Sequence, residues 1–147
     1  MADPPADLRP SISPSPDSEP FWRAAAEHRL VLPHCDACDS VFFYPRTLCP
    51  HCGSREVGWA PTAGLGTLYS FCVQHQCAVP GLREAVPFVT ALVDLDEGPR
   101  LMSLLVGVPP DPDRLACGMR VEVTFQDLEE GRALPVFRPA RSTEGDR

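Results

Sequence analysis

The clearest pattern in the chain is an alternation of apolar and polar positions in its second half. Met119, Val121, Val123 and Phe125 are separated by Arg120, Glu122 and Thr124, with Gln126 following. A period of two with one apolar face predicts a half-buried strand. Further upstream, Thr67, Tyr69, Phe71 and Val73 predict a first strand with those four side chains on one face. Residues 88–95 form a second, nearly continuous β-rich run, and Asp96-Glu97-Gly98 is a turn signal. Residues 100–108 predict a third strand, and residues 109–115 a turn or one short helical turn. The alternating stretch from Met119 to Phe125 is the fourth strand. Residues 128–131 turn, and residues 134–138 predict the last strand. Five strands, mostly antiparallel by their turns and with a gap between the third and fourth, suit an OB-type barrel over residues 61–140. A small sandwich is the competing arrangement.

The N-terminal part reads differently. Six of the first twenty residues are proline, and such a segment neither nucleates a helix nor joins a sheet, so disorder is expected over residues 1–17. Residues 18–30 predict a helix. Ser18 suits its N-cap, Glu19 and Pro20 suit its first turn, and three consecutive alanines favour it. Phe21, Ala25 and Arg29 share one face, with Trp22 and Ala26 beside it. A helix this short needs something to pack on. The protein's own core and a partner's surface are equally good readings. Residues 141–147 predict a flexible end.

Residues 31–60 lack a helical pattern. Val31-Leu32 and Val41-Phe42-Phe43-Tyr44 read as short strands flanking turns. The turns carry the candidate chemistry: Cys35-Asp36-Ala37-Cys38 and Cys49-Pro50-His51-Cys52, with ten residues between the pairs. Two residues between cysteines let one tight turn aim both sulfurs at one point. Two such turns close a tetrahedron of Zn–S bonds of about 2.3 Å. Gly53 follows the second pair and adopts a positive φ without cost. Asp39 follows the first pair and tolerates that region better than most residues. Iron could occupy the same sulfur cage, but no electron-transfer context accompanies it, and zinc is the expected metal. With four protein ligands it is structural rather than catalytic. His34 and His51 lie beside the ligands and read as surface histidines. Cys72, Cys77 and Cys117 read as buried structural thiols.

Charge and composition narrow the function. The net charge is −7, and all 13 basic side chains are arginine. An acidic chain is a poor polyanion binder. No run of about 18 apolar residues exists, and no basic region followed by an apolar one opens the chain. Seven cysteines without an export signal argue for reduced thiols and a cytoplasmic location. No phosphate loop, nucleophile elbow or zinc-protease motif is present. A Cys77–His75 pair on one strand face is conceivable but weaker than an ordinary rim histidine. Asp94, Asp96 and Glu97 read as exposed hairpin acids.

A helix carrying Phe21-Trp22, a four-cysteine ribbon and a small barrel, in that order, resemble the zinc-ribbon/OB-fold family once called domain of unknown function 35. The stretches that carry the likeness include Leu30-Val31-Leu32-Pro33-His34-Cys35, Phe43-Tyr44-Pro45-Arg46, Cys49-Pro50-His51-Cys52-Gly53, Gly64-Leu65-Gly66-Thr67-Leu68-Tyr69-Ser70, Val93-Asp94-Leu95-Asp96-Glu97-Gly98 and Leu134-Pro135-Val136-Phe137-Arg138-Pro139. They span roughly residues 20 to 140. Asp39 departs from the glycine usual in the family. The resemblance implies a mainly β chain with an N-terminal helix, a rubredoxin-like zinc ribbon and a five-stranded OB-fold barrel. It implies a non-catalytic accessory subunit of a thiolase-like or lipid-transfer-type acyl-CoA enzyme. In that role the barrel helps enclose a CoA thioester while the partner supplies the nucleophile. Some family members are fused to hydratase-like domains. This chain carries no such fusion, so a separate partner polypeptide is expected. Phe21, Trp22, Gly64, Leu65, Gly66 and Thr67 are then candidates for the partner surface, and Arg46, Arg83 and Arg138 for CoA phosphates. The competing readings are a nucleic-acid-binding module and a free-standing acyl-CoA enzyme using Cys77 or His75.

Overall fold

The computed structural model describes residues 10–141. The first element is a helix, α1 (Glu19–Ala26). Ser18 occupies its cap position without a side-chain capping bond. The Ser18 hydroxyl turns back instead, donating to the Ser15 carbonyl at 3.2 Å and accepting from the Ser15 amide at 3.0 Å. The part of the expected disordered tail at residues 1–9 lies outside the described residues, as does the part of the flexible end at residues 142–147.

The helix stops at Ala26, four residues before the expected end. The cause is local. His28 adopts φ 57°, its amide bonds the Ala25 carbonyl at 2.8 Å, and the Arg29 amide bonds the Ala24 carbonyl at 2.9 Å. This pair of bonds is a Schellman closure with histidine where glycine is usual, and the sequence carries no glycine to announce it.

A two-stranded sheet follows. Strand β1 (Val31–Cys35) pairs antiparallel with β2 (Val57–Pro61), with Cys35 opposite Val57. The sequence pattern anticipates β1 but not β2, whose run Val-Gly-Trp-Ala-Pro contains two residues unfavourable in strands. The strand expected at Val41-Phe42-Phe43-Tyr44 reduces to a single bridge between Val41 and His34. Phe42 is buried beside Cys35 and Cys49.

The remaining strands close a barrel in the order β3-β4-β5-β7-β6. They are β3 (Leu65–Gln74), β4 (Phe88–Leu95), β5 (Arg100–Leu105), β6 (Arg120–Asp127) and β7 (Ala133–Pro139). All pairings are antiparallel except β5 with β7, which is parallel at Leu105 and Phe137. This is the OB arrangement, and the closed barrel excludes the sandwich. Strand β5 ends at Leu105 rather than residue 108, because Gly107 (φ 73°) turns the chain out.

The face expected for the first barrel strand needs correction. A bulge lies between Leu68 and Ser70. Before it the inward residues are Gly66 and Leu68; after it Phe71 and Val73 pack on the core. One extra residue inverts the side-chain alternation, so Tyr69 points outward and is 51% exposed. Thr67 and Tyr69 therefore do not share a buried face with Phe71.

Helix, ribbon and barrel share one core. Phe21, Leu30 and Leu32 join Leu68, Val89, Val93, Val121 and Phe137. This settles what Phe21 packs on: it is 5% exposed, inside the chain's own interior.

Candidate functional site

The ribbon is built from two near-identical turns. In the first, the Asp39 amide donates to the Cys35 carbonyl at 2.8 Å and the Cys35 amide to the Ser40 carbonyl at 2.8 Å. In the second, the Gly53 amide donates to the Cys49 carbonyl and the Cys49 amide to the Ser54 carbonyl, both at 2.9 Å. Asp39 and Gly53 hold matching positive φ values of 61° and 75°, as the turn chemistry anticipates. The His51 amide also points at Cys49 Sγ, 3.4 Å away.

These turns bring four sulfurs together. Cys35 Sγ and Cys52 Sγ are 3.6 Å apart, Cys38 Sγ and Cys49 Sγ are 3.7 Å apart, and all four lie within 4.8 Å of one another. A tetrahedron with Zn–S bonds of about 2.3 Å requires sulfurs about 3.8 Å apart, so the donor set fits the ion. Cys35 and Cys49 are buried and Cys38 and Cys52 exposed; one sulfur of each turn faces the protein and the other faces out.

The thiols perturb one another. The Ser40 hydroxyl, 3.1 Å from Cys38 Sγ, stabilises its thiolate, and the Cys38 pKa falls to about 6. For Cys52 the Ser54 amide acts in the same direction, but desolvation and the neighbouring sulfurs outweigh it, pushing that thiol up to about 12. Clustered thiols cannot all ionise without a cation to balance them. A divalent ion removes the conflict and makes all four thiolates.

His34 and His51 stay outside the sulfur set. The His34 ring bridges Asp39 Oδ1 at 2.7 Å and Asp36 Oδ1 at 3.0 Å. These two carboxylates, Asp39 first, raise its pKa. Asp36 and Asp39 thereby tie the first turn to β1.

The other three cysteines differ from expectation. Cys72 and Cys117 are exposed and Cys77 is half-buried, because the bulge at Tyr69 turns Cys72 outward and Cys117 sits in the turn before β6. Strand β3 ends at Gln74, so His75 and Cys77 do not share a strand face. His75 is exposed, whereas Cys77 lines an apolar hollow. The hairpin acids are also more than solvated charge. Arg100 donates to Asp94 Oδ1 and Oδ2 at 2.6 and 3.1 Å, and Arg120 to Asp96 Oδ1 and Oδ2, both at 2.7 Å.

The hollow encloses about 600 Å³ between α1, the ribbon and the outer face of the barrel. Phe21, Trp22, Phe43, Tyr44, Met102 and Pro135 form much of its wall, and Gln74, Thr90 and Ser103 supply polar atoms. Among the described residues, no charged side chain is part of the lining. Met102 is 70% exposed and Tyr44 53%. Trp22 is half-buried and packs with Phe21 and Phe43 in an aromatic cluster. Sequence reasoning missed Met102 and Tyr44. The available signal was that residues 101–106 are apolar on both faces of a strand.

The remaining candidates are dispersed. Gly64 and Gly66 are buried. A Cβ on Gly64 would lie 2.3 Å from Val123 Cγ1, and one on Gly66 would lie 2.6 Å from the Asp94 carbonyl oxygen. Both glycines therefore serve close strand packing. Leu65 and Thr67 are half-buried beside them. Arg46 lies in the ribbon loop, Arg83 in the segment before β4, and Arg138 on β7. Arg138 Nε is engaged by Glu122 Oε1 at 3.0 Å, and Arg83 reaches the Ala78 carbonyl at 3.5 Å. The three arginines lie on three different elements.

Comparison with known proteins places these features in a family context. Residues 22–58 match the family described as ChsH2, rubredoxin-like zinc ribbon domain, and residues 59–126 match ChsH2, C-terminal OB-fold domain. The chain is 39% identical over 136 residues to the "Probable enoyl-CoA hydratase alpha subunit" of Thermomonospora curvata, covering 92% of this chain and 41% of that one. It is 31% identical over 111 residues to a DUF35 domain-containing scaffold protein of Methanocaldococcus jannaschii, covering 74% of this chain and 77% of that one. Among solved structures, a chain of the Ltp2-ChsH2(DUF35) aldolase superposes with a TM-score of 0.78 at 39% identity, covering 90% of this chain and all of that one. The chain spans about two fifths of the length of the hydratase subunit it matches.

Proposed function

The chain belongs to the DUF35 family of linked zinc-ribbon and OB-fold domains, and from that premise we propose that it is an accessory subunit of a thiolase-like acyl-CoA enzyme. The partner supplies the reacting groups, and this chain supplies a rigid docking surface beside the thioester. The observation that carries the reading is the apolar hollow walled by Trp22, Tyr44 and Met102. A largely apolar concavity of this size, on a chain with net charge −7, suits an apolar anchor from another protein. The names of the relatives support it: one is a subunit of a CoA hydratase, one a scaffold protein, and one is joined with Ltp2 in an aldolase.

In this reading Cys35, Cys38, Cys49 and Cys52 hold one zinc ion. The metal's chemistry is structural: it neutralises four thiolates and pins the two turns, with no position left for a reacting group. Pinning the turns fixes Phe43 and Tyr44, which lie between the two pairs and form one wall of the hollow. Seven free thiols agree with a reducing cytoplasm, and no helix among the described residues is long and apolar enough to cross a membrane. The nucleic-acid reading gains no support. Arg29, Arg100, Arg120, Arg132 and Arg138 are all bound to carboxylates, and a chain of net charge −7 is a poor polyanion binder.

The test is co-expression of the chain with candidate thiolase-like and lipid-transfer-type enzymes from the same genome, followed by affinity capture and size-exclusion chromatography. A stable stoichiometric complex whose acyl-CoA turnover exceeds that of either part is expected. A chain that remains monomeric beside every such enzyme, while fully loaded with zinc, refutes the proposal.

A further inference from the structure

Strands β5 and β7 close the barrel by pairing at Leu105 and Phe137, and at no other position among the described residues. The ladder on the far side of β5 fixes which way its remaining main-chain groups face. In an antiparallel pair, residues alternate between bonding across to the partner strand and pointing away from it. The Leu95 amide donates to the Pro99 carbonyl at 2.9 Å. In the β4–β5 register, Leu101, Ser103 and Leu105 then bond to Val93, Ala91 and Val89. Met102 and Leu104 therefore turn their amides the other way, towards β7. Val106 continues that set, and its amide donates to the Phe137 carbonyl at 2.7 Å. Short of that point, the Met102 N–H and C=O and the Leu104 N–H have no strand opposite them among the described residues.

The apolar hollow lies along this open edge. Leu101, Met102, Ser103 and Leu104 all line it, as do Leu134 and Pro135 of β7. Consecutive residues of a strand face opposite sides, so a hollow that touches four in a row abuts the strand's edge rather than one face. Strand β7 does not supply the missing partner. Its Pro135 carbonyl is taken by the Ser103 hydroxyl at 2.6 Å, and Pro135 has no N–H. Pro10, in the chain's own N-terminal segment, also reaches the hollow and has no N–H either. Unpaired main-chain donors and acceptors beside an apolar pocket form the recognition surface for strand addition. The edge supplies hydrogen bonds, and the pocket takes alternate side chains.

We infer that β5 accepts an extended, apolar segment of the partner enzyme as an added strand, paired with the main chain of Met102 and Leu104 and with one row of its side chains in the hollow. That the segment belongs to the enzyme rests on the proposed function; the mode of binding follows from the open edge. The stretch from Arg100 to Leu104 spans about 13 Å at a rise of about 3.3 Å per residue, room for about four or five residues. The described lining carries no charge, so an apolar segment is favoured over a charged one, which would be desolvated there without a counter-charge.

The experiment has two arms, both on the full-length, zinc-loaded chain. The first follows amide hydrogen exchange by NMR, for the free chain and for its complex with a captured enzyme. In the free chain the Met102 amide should exchange at least about tenfold faster than those of Leu101 and Ser103, and in the complex it should slow to their level. The second arm titrates the capped peptide acetyl-Val-Thr-Val-Thr-Val-amide into the chain alone. Saturable binding that shifts the Met102 amide resonance is expected. The same peptide N-methylated at every residue, which has no main-chain donors, should bind at least about tenfold more weakly. Met102→Ala keeps the edge N–H and should bind the peptide within about threefold of wild type. Met102→Pro deletes that N–H at a position facing away from β4, where proline is tolerated, and should lose binding while keeping its zinc. If Met102→Pro fails to fold, the methylated peptide and the exchange rates still decide. Binding indifferent to N-methylation, or a Met102 amide as open in the complex as in the free chain, overturns the inference. A free chain that dimerises with Met102 protected assigns the edge to a second copy and overturns the choice of occupant. Enzyme capture with Met102 unprotected refutes strand addition alone; peptide binding with no enzyme captured refutes the accessory-subunit reading alone.

Discussion

His28 Nε2 lies 2.6 Å from Asp127 Oδ1, across 99 residues of chain, and the same imidazole stacks on Phe125 with ring centroids 5.2 Å apart and 7° between planes. This residue ends α1 in the left-handed conformation, so one side chain both closes the helix and ties it to β6. A non-glycine residue in that conformation costs about 1–2 kcal/mol, which the stacking and the hydrogen bond offset. His28→Ala removes the contacts and keeps the strain, whereas His28→Gly removes both. We expect His28→Ala to be the less stable of the two by about 1 kcal/mol, measured by urea denaturation of the zinc-loaded protein. Equal stability of the two variants would show that the conformation at His28 carries no cost.

The sulfur cluster makes a second expectation quantitative. One zinc ion per chain should be found by elemental analysis of protein purified without added metal. Cys49→Ser deletes a buried ligand, and the metal end of the ribbon, where only Phe42 and Val57 pack around Cys35 and Cys49, then loses a contribution on the order of 10 kcal/mol. Metal content should drop to near zero and amide protection across β1 and β2 should vanish, while Cys72→Ser, at an exposed site, changes neither. A Cys49→Ser protein that keeps its zinc would remove the assigned ligand set.

Two glycines test the barrel. Gly66→Ala drives a methyl into the Asp94 carbonyl and Val93 Cγ1 (2.6 and 2.7 Å), both on the neighbouring strand, and Gly64→Ala combines a 2.3 Å approach to Val123 with a φ of +71°. Each should lower stability by about 2–4 kcal/mol through overpacking and backbone strain. Gly53→Ala, with φ +75° but nothing within 4 Å of the added atom, should cost about 1 kcal/mol. Thermal melts of the three variants order the effects, and a Gly66→Ala protein as stable as wild type would contradict the tight β3–β4 approach.

Those glycines also mark what the sequence makes legible. The paired cysteines are readable because metal ligation imposes short fixed spacings, strand β6 because burial of one face imposes a period of two, and strand β4 because its run is almost continuously β-rich. What escapes has a non-local or single-residue cause. The bulge beside Tyr69 inverts the alternation with one inserted residue, and no local signal distinguishes it from a regular strand. The end of α1 depends on a histidine accepting a conformation that glycine would advertise. Strand β2 contains glycine and proline and exists because β1 offers it a partner. The hollow is assembled from α1, the ribbon loop and β5, so Met102 and Tyr44 acquire meaning only when the chain has folded. The ion pair of Asp96 with Arg120 likewise joins residues 24 apart.

That ion pair and its neighbour contribute to the acid response of the barrel. The Arg100 guanidinium hydrogen-bonds Asp94 and holds its carboxyl below the usual value of 3.8; Arg120 does the same for Asp96. Arg100 is anchored further, 3.4 Å above the Tyr69 ring. A carboxyl depressed in the folded state binds its proton more readily when unfolded. The stabilisation is therefore fully present above the unfolded value and is lost as pH falls through it towards the folded one. The melting temperature should hold between pH 7 and 5 and decline below about pH 4. The Asp94→Asn/Asp96→Asn variant should melt lower at pH 7 and show a shallower decline in acid. Because these groups are partly exposed, added salt should narrow the difference. An identical acid slope in the variant would assign the response to other carboxylates.

Met102 provides the sharpest test of the docking face. It is 70% exposed on β5, so Met102→Asp removes little packing from the folded chain, but it places a charge inside a hollow whose described lining is uncharged. Seating a partner's apolar surface there would then desolvate a carboxylate with no counter-charge. Trp22→Ala acts on the same face by a different route: it deletes an aromatic wall, and it also removes the edge-on contact with Phe21 at 5.0 Å, so its effect mixes docking with stability. We expect Met102→Asp to keep the wild-type melting temperature and zinc content while weakening capture of the partner enzyme by at least about tenfold. Trp22→Ala should weaken capture and lower the melting temperature together. Undiminished capture by Met102→Asp at equal protein concentration would move the partner's seat away from the hollow and leave the cluster around Phe21 as core alone.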